Sequence, residues 1–309
     1  MRKSLYAGLA GLSFALAAPA WAQDASSQPV DATATDTTSG AGTVQSGEAE
    51  YDPVTEETPF SGLYVGGSFG FAAQNNDVNT GISFDRGGNG SFGETVTTGT
   101  GANAFSTGFC NGAAVNALSP ANGGRCLNDE DGLEYYGRVG FDAQRGKIVV
   151  GVVGEFGRPE ISDSVTAFST TPANYVMTRS VDWEASIRGR VGFVAGRSTL
   201  FYGAFGPGYL QVDNDFRSTN TANSFSSTNK DKIFGVTGGG GVEQMIGNNF
   251  SIGLEYMYHR YIDDDARVRV GAGSAPATNP FRLAGGVDFR RADERFTWHS
   301  IRGTVNFRF

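Results

Sequence analysis

The chain has 309 residues, among them 45 glycines, 23 phenylalanines, two cysteines and two histidines, with a formal charge of −8. Two thiols and two imidazoles leave little for a metal cage, and bases mixed evenly among acids do not make a nucleic-acid surface. No segment past residue 22 approaches the ~18 apolar residues of a spanning helix.

The first 22 residues, "MRKSLYAGLAGLSFALAAPAWA", carry Arg2 and Lys3, an apolar run and the small-x-small Ala20-Trp21-Ala22. This three-part form is that of a secretory signal peptide cleaved after Ala22. Residues 23–60 follow with Asp24, Asp31, Asp36, Glu48, Glu50, Asp52, Glu56 and Glu57 and no Lys or Arg. A stretch so acidic, with almost no large apolar residues, reads as a disordered periplasmic segment. It accounts for the chain's net acidity, so the remainder is close to neutral.

From Ser61 to the end, segments of about ten residues alternate apolar with small or polar side chains, the period of a strand with two different faces. "GLYVGGSFGFA" (62–72) sets Leu63, Val65, Phe69 and Phe71 on one parity. "GLEYYGRVGFDA" (132–143) opposes Leu133, Tyr135, Val139 and Phe141 to Glu134, Tyr136, Arg138 and Asp142. "KIVVGVVGEFG" (147–157) sets Ile148, Val150, Val152 and Phe156 against Glu155, and "VDWEASIRGRVGFVA" (181–195) sets Trp183, Ile187, Val191 and Phe193 against Glu184, Arg188 and Arg190. The glycines and Pro207 of "LFYGAFGPGYLQV" (200–212), like the glycines of "KIFGVTGGGGVEQMI" (232–246), weaken the signal, and the facing of 200–212 stays open. "FSIGLEYMYH" (250–259) opposes Phe250, Ile252, Leu254 and Tyr256 to Glu255 and His259, and "SIRGTVNFRF" (300–309) ends the chain with Ile301, Val305, Phe307 and Phe309 against Arg302, Thr304, Asn306 and Arg308.

The apolar parity suits lipid better than the core of a sandwich. It holds no charge over the central stretch of each segment, where an Arg or Lys would cost about 2–4 kcal/mol, and aromatics gather toward segment ends. The connections alternate: short at 144–147, 196–199 and 247–249, long at 72–131, 158–180, 214–231 and 262–296. Short turns at one rim and long loops at the other are the pattern of outer-membrane barrels. The expected fold is therefore all-β, an eight-stranded antiparallel up-and-down transmembrane barrel over 61–309, both chain ends lying at the periplasmic rim and the long loops outside. A ten-stranded barrel is the alternative, built from a loop hairpin such as "GISFDRGG" and "SFGETVTT" around Asn89-Gly90.

With its leader, its first strand "GLYVGGSFGF", its glycine-laced strands and its terminal Phe309, the chain resembles the porin-family and opacity-protein-like surface antigens, small barrels related to the OmpA transmembrane domain. The resemblance implies an outer-membrane protein of the cell envelope, with Val305, Phe307 and Phe309 as the signal read by the barrel-assembly machinery. A haem site, found in some members of that broad family, has only two histidines to build on here, and no cofactor is expected.

An eight-stranded barrel is just wide enough for its own side chains. Arg138, Arg188, Arg190 and Arg302 with Glu155, Glu184 and Glu255, and with Glu134 and Glu243 nearer the rims, are expected to pair inside it, because an unpaired buried charge costs several kcal/mol. The pairs read either as a plug, the favoured reading, or as a narrow ion-selecting pore. Cys110 and Cys126, the even pair of an exported chain, read as a disulfide bracing the first long loop. Catalysis is not expected: His299 and Ser300, as strand neighbours, point to opposite faces, and His259, near Glu255, reads as an interfacial polar residue. Asp263, Asp264 and Asp265 read as a solvated run, not a metal site. Function then reduces to a non-catalytic barrel presenting surface loops, with adhesion or host contact as an extension and an unknown loop ligand; a small passive channel is the alternative.

Overall fold

The computed structural model describes residues 58–74, 80–111, 116–117, 126–228 and 230–309. The leader and residues 23–57 of the acidic segment lie outside these. In chain order the strands are β1 (Gly62–Gln74), β2 (Ile82–Arg86), β3 (Gly108–Asn111), β4 (Asn116–Ala117), β5 (Gly132–Arg145), β6 (Ile148–Pro159), β7 (Ser162–Ser169), β8 (Ala173–Ala195), β9 (Thr199–Ser218), β10 (Ser224–Ser227), β11 (Lys230–Ile246), β12 (Phe250–Ile262), β13 (Val268–Gly271), β14 (Val287–Arg291) and β15 (Arg295–Arg308), with one short helix, α1 (Pro280–Leu283), before β14.

Eight of these strands close a barrel. Antiparallel pairing runs β1–β5–β6–β8–β9–β11–β12–β15 and returns to β1. The expected strand number is the one formed, and no hairpin is inserted to make ten. Closure lets every wall strand satisfy its N–H and C=O groups against two neighbours. The three short turns each carry a glycine in the left-handed region, Gly146 at φ 57°, Gly196 at 64° and Gly247 at 73°, where a side chain would be strained.

The two parities meet different surroundings. Phe69, Val139, Phe156, Ile187, Phe205 and Ile301 face outward, each more than half exposed. An apolar surface that continues around the whole wall far exceeds what water-facing monomers carry, so hydrocarbon is its solvent. The opposite parity is buried and rich in charge. On β9 the facing left open resolves as Phe201, Phe205 and Tyr209 outward and Leu200, Tyr202, Leu210 and Val212 inward. Apolar residues on both sides had hidden it.

Several expectations for the loops need correction. Residues 158–180 are mostly strand, not loop: β7 pairs with the upper third of β8, and β8 runs unbroken for 23 residues from this hairpin down the wall. The 81–98 segment forms no hairpin of two paired strands. β2 instead pairs with β14 in a four-stranded sheet ordered β10-β13-β14-β2, while residues 93 and 94 fold back to donate to the Phe84 carbonyl and the Glu94 carboxylate accepts from the Arg86 N–H. All four long connections thereby merge into a cap. Its core joins Phe84 and Phe105, Val165 and Tyr175, Phe225, and Phe281 and Phe289. Phe289 lies at its centre, its ring 5.2 Å from that of Phe84, 5.6 Å from Tyr175 and 5.6 Å from Phe281. The Cys110–Cys126 disulfide forms, with Cα atoms 5.8 Å apart.

The boundary drawn after Phe60 also moves. Phe60 is fully buried under the short-turn end, its N–H donating to Gln144 Oε1 at 3.0 Å and its carbonyl accepting from Arg308 Nη1 at 2.9 Å. An Arg at Ile187, at mid-wall and 63% exposed, should cost about 2–4 kcal/mol in hydrocarbon. We expect Ile187→Arg to lose the heat-modifiable gel migration of a closed barrel; normal migration would reverse the assigned facing.

Candidate functional site

The inward side chains arrange themselves in three tiers along the lumen. Nearest the short turns, Arg308 Nη2 lies 2.9 Å from both Asp142 Oδ2 and Glu243 Oε1, and Arg190 pairs with the same two carboxylates. Both guanidiniums also rest on aromatic faces, Arg190 3.9 Å from the Tyr202 ring and Arg308 4.6 Å from the Tyr64 ring, a further attraction for a buried cation. Gly140 makes this packing possible: a Cβ there would collide with the Tyr64 ring.

The middle tier is the densest. Glu155 meets Arg188 at 2.6 Å, Arg302 at 2.8 Å and Arg138 at 3.3 Å, while Glu255 meets Arg138 and Arg302 at 2.9 Å each and accepts a hydrogen bond from the Tyr202 hydroxyl. These side chains come from β5, β6, β8, β12 and β15, so the tier ties opposite walls together. Three arginines against two carboxylates leave it one positive charge in excess.

In the upper tier Glu184 accepts from Tyr136 at 2.5 Å and Tyr261 at 2.6 Å and holds His259 Nδ1 at 2.8 Å, while Glu134 accepts from Ser300 at 2.7 Å. Trp298 stacks on His259, ring centres 4.5 Å apart. Above it Ile161, Val181, Leu210, Val212, Ile233 and Phe296 seal the barrel with apolar side chains.

The nine residues assigned to the lumen from sequence all face inward and are buried, but Asp142 and Arg308 were missing from that set. The parity of each strand pointed to both. The tyrosines were missed as well, because their alternation marks a face and not a hydrogen bond. His259 departs from expectation: it is 1% exposed inside the lumen, not interfacial. Glu255 belongs to the arginines and does not reach it. His299 faces outward and bonds the Tyr256 hydroxyl, whereas Ser300 is buried on the opposite face, so no nucleophile, base and open cleft come together among the described residues.

Between the seal and the cap core lies a fourth charged cluster, outside the membrane-spanning segments. Asp163 pairs with Arg179 at 2.8 Å and with Arg291, and Arg179 stacks over Phe296. Burial alone would raise the Asp163 carboxyl, but these two guanidiniums hold it below the usual carboxylate range. Asp129, which accepts from the Ser164 N–H at 2.9 Å, is pushed up to about 6, by burial first and then by the charge of Asp163. Asp263, expected in a solvated run, is instead buried, 3.8 Å from Arg179, while Asp264 and Asp265 are exposed. Among the described residues no cluster of His, Cys, Asp and Glu could hold a metal ion.

No protein-family model matches the chain. It is 32% identical over 152 residues to the "22 kDa outer membrane protein" of Rhizobium leguminosarum bv. viciae, covering 49% of this chain and 64% of that protein. It is 27% identical over 111 residues to the "31 kDa outer-membrane immunogenic protein" of Brucella melitensis, covering 36% of this chain and 46% of the relative. The chain thus spans less than two thirds of either curated relative. Among solved structures, it aligns with the outer membrane protein OprG of Pseudomonas aeruginosa (TM-score 0.44, 12% identity, 81% of this chain and 96% of that one). It aligns also with Ail, the attachment invasion locus protein of Yersinia pestis (TM-score 0.29, 12% identity, 81% and 99%).

Two outcomes are expected. Arg302→Met leaves Glu155 and Glu255 short of a partner and should destabilise the barrel by about 3–5 kcal/mol, read from urea unfolding in detergent; adding Glu255→Gln should cost less than the sum of the single changes. For Asp129 the raised carboxyl contributes stability that is complete below about pH 4 and lost as pH rises through about 6. Asp129→Asn should therefore melt higher than the parent at pH 7.5 and by a much smaller margin at pH 4.5; a pH-independent difference would contradict the linkage.

Proposed function

We propose that this protein is a non-catalytic barrel of a bacterial outer membrane whose lumen is a plug and whose cap is the working surface. The carrying observation is the continuous filling of the lumen: two tiers of paired charges, a third of carboxylates held by hydroxyls and an imidazole, then an apolar seal, then a packed cap core. A channel needs a wider barrel or a one-sign constriction, and each lumen tier mixes arginine, histidine or hydroxyl donors with carboxylates. The outer-membrane names of the relatives support the location, and none of them names an enzymatic activity.

In this reading the short turns face the periplasm, where the acidic segment begins, and the cap faces the outside. The braced cap would serve contact with other cells or a host, its ligand belonging to the exterior. Val305 and Phe307, outward on β15, with Phe309 just past its end, serve as the strand signal for the assembly machinery. Deleting Phe309 is then expected to lower the folded, heat-modifiable fraction in cells more than it lowers the stability of refolded protein.

The rival is a small passive channel, and conductance in planar bilayers separates the two. The plug predicts no steady current from the unaltered protein. Steady current through it that changes ion preference in Arg302→Glu would overturn the plug.

A further inference from the structure

The outer wall is not uniformly convex. Across β5, β6, β8, β9 and β11 it carries a recess of about 690 Å³, floored by Gly137, Gly154 and Ala185 and bounded by Val139, Ile187 and Pro207. That volume is in the ~300–1,000 Å³ range of ligand pockets. Its cause is local. Pro207 has no N–H to donate, and β8–β9 pairing stops at Ser186↔Gly208 and resumes at Gly189↔Phe205.

The floor glycines differ from those facing the lumen. A Cβ on Gly140, Gly206 or Gly208 would strike a ring or a carbonyl, so the interior requires these glycines. A Cβ on Gly137 would come no nearer than 3.9 Å to any neighbour, and one on Gly154 no nearer than 3.8 Å. Nothing within the barrel needs the hollow these two leave.

The long-loop end of the recess has a roof of touching rings. Phe156, Trp183, Tyr209 and Phe234 follow one another on β6, β8, β9 and β11, with centres 5.7, 5.6 and 4.6 Å apart. Trp183 Nε1 donates to Gln211, whose amide donates to Asp182, and Lys230 lies 3.0 Å from Asp182. Thus the wall changes from apolar to charged within one or two residues of the roof. Arg158, outward on β6 directly beyond Phe156, is exposed and makes no ion pair with a described carboxylate. Asp182, the acid its field reaches, is already held by Lys230 and Gln211.

We propose that this recess seats one acyl chain of an anionic membrane lipid, its headgroup phosphate against Arg158. The floor and roof are apolar where hydrocarbon chains lie, and the uncompensated guanidinium stands where headgroups begin. The seat rests on the reading that lipid bathes the outer wall.

Trp183 reports on it directly. The full chain is refolded into phosphatidylcholine vesicles holding a few per cent of phosphatidylglycerol or phosphatidylcholine with brominated chains, and the signal of a Trp183→Phe variant is subtracted. Brominated phosphatidylglycerol is expected to quench Trp183 about fivefold more than brominated phosphatidylcholine at equal fraction, as one arginine beside an anionic headgroup provides. Arg158→Glu should abolish that preference. Gly154→Leu and Gly137→Leu, at positions where a Cβ meets nothing closer than 3.8 Å, should reduce quenching to the bulk lipid fraction, while Gly303→Leu on the far wall should not. Quenching in proportion to bulk fraction, equal for both lipids and unchanged by Gly154→Leu, would overturn the seat alone. No quenching by either lipid would overturn the membrane reading together with it.

Discussion

A sheet in hydrocarbon must satisfy its own backbone, because no water is there to do so. That constraint governs the rest of this protein. It requires the β15–β1 pairing that closes the sheet, and closure with eight strands makes the lumen too narrow for bulk water. Whatever polar side chains point inward must then find partners among themselves. The outward parity is released from packing demands and needs only to be apolar.

The interior meets this demand by mixing sizes. Arginines and tyrosines reach across the lumen, and glycines on facing positions, such as Gly140 beneath Tyr64, give them room. Each carboxylate of the lower and middle tiers meets at least two arginines, so charge is neutralised over short distances and not summed into one field. Such pairs need not stabilise the barrel relative to an apolar filling. Their effect is on uniqueness, since a strand shifted by one residue would turn every arginine toward lipid.

Strict alternation made the wall legible in the sequence. Trp183, Ile187 and Val191 against Glu184, Arg188 and Arg190 fix a strand and both its faces at once. The same rule failed on β9, where Leu200 and Leu210 face in and Phe201 and Phe205 face out, so that polarity did not distinguish the sides. Arg308 and Asp142 carried the right parity, yet partners across the lumen depend on stagger between strands that one sequence does not reveal. Asp263 and His259 look solvated or interfacial only because their covers, Phe296, Trp298 and the Arg179 cluster, come from distant strands. The cap was the least legible part. Its short strands pair between loops, β2 with β14 and β10 with β13, and no local period announces such partners.

That assembly of the cap has a further consequence. Its outer surface is a mosaic of segments as far apart as residues 82–86 and 287–291, held in register by a shared aromatic interior and by strands that rise unbroken from the wall. A receptor or antibody fitted to this mosaic would recognise shape that no excised peptide reproduces, and boiling the protein would erase the epitope while leaving every residue in place.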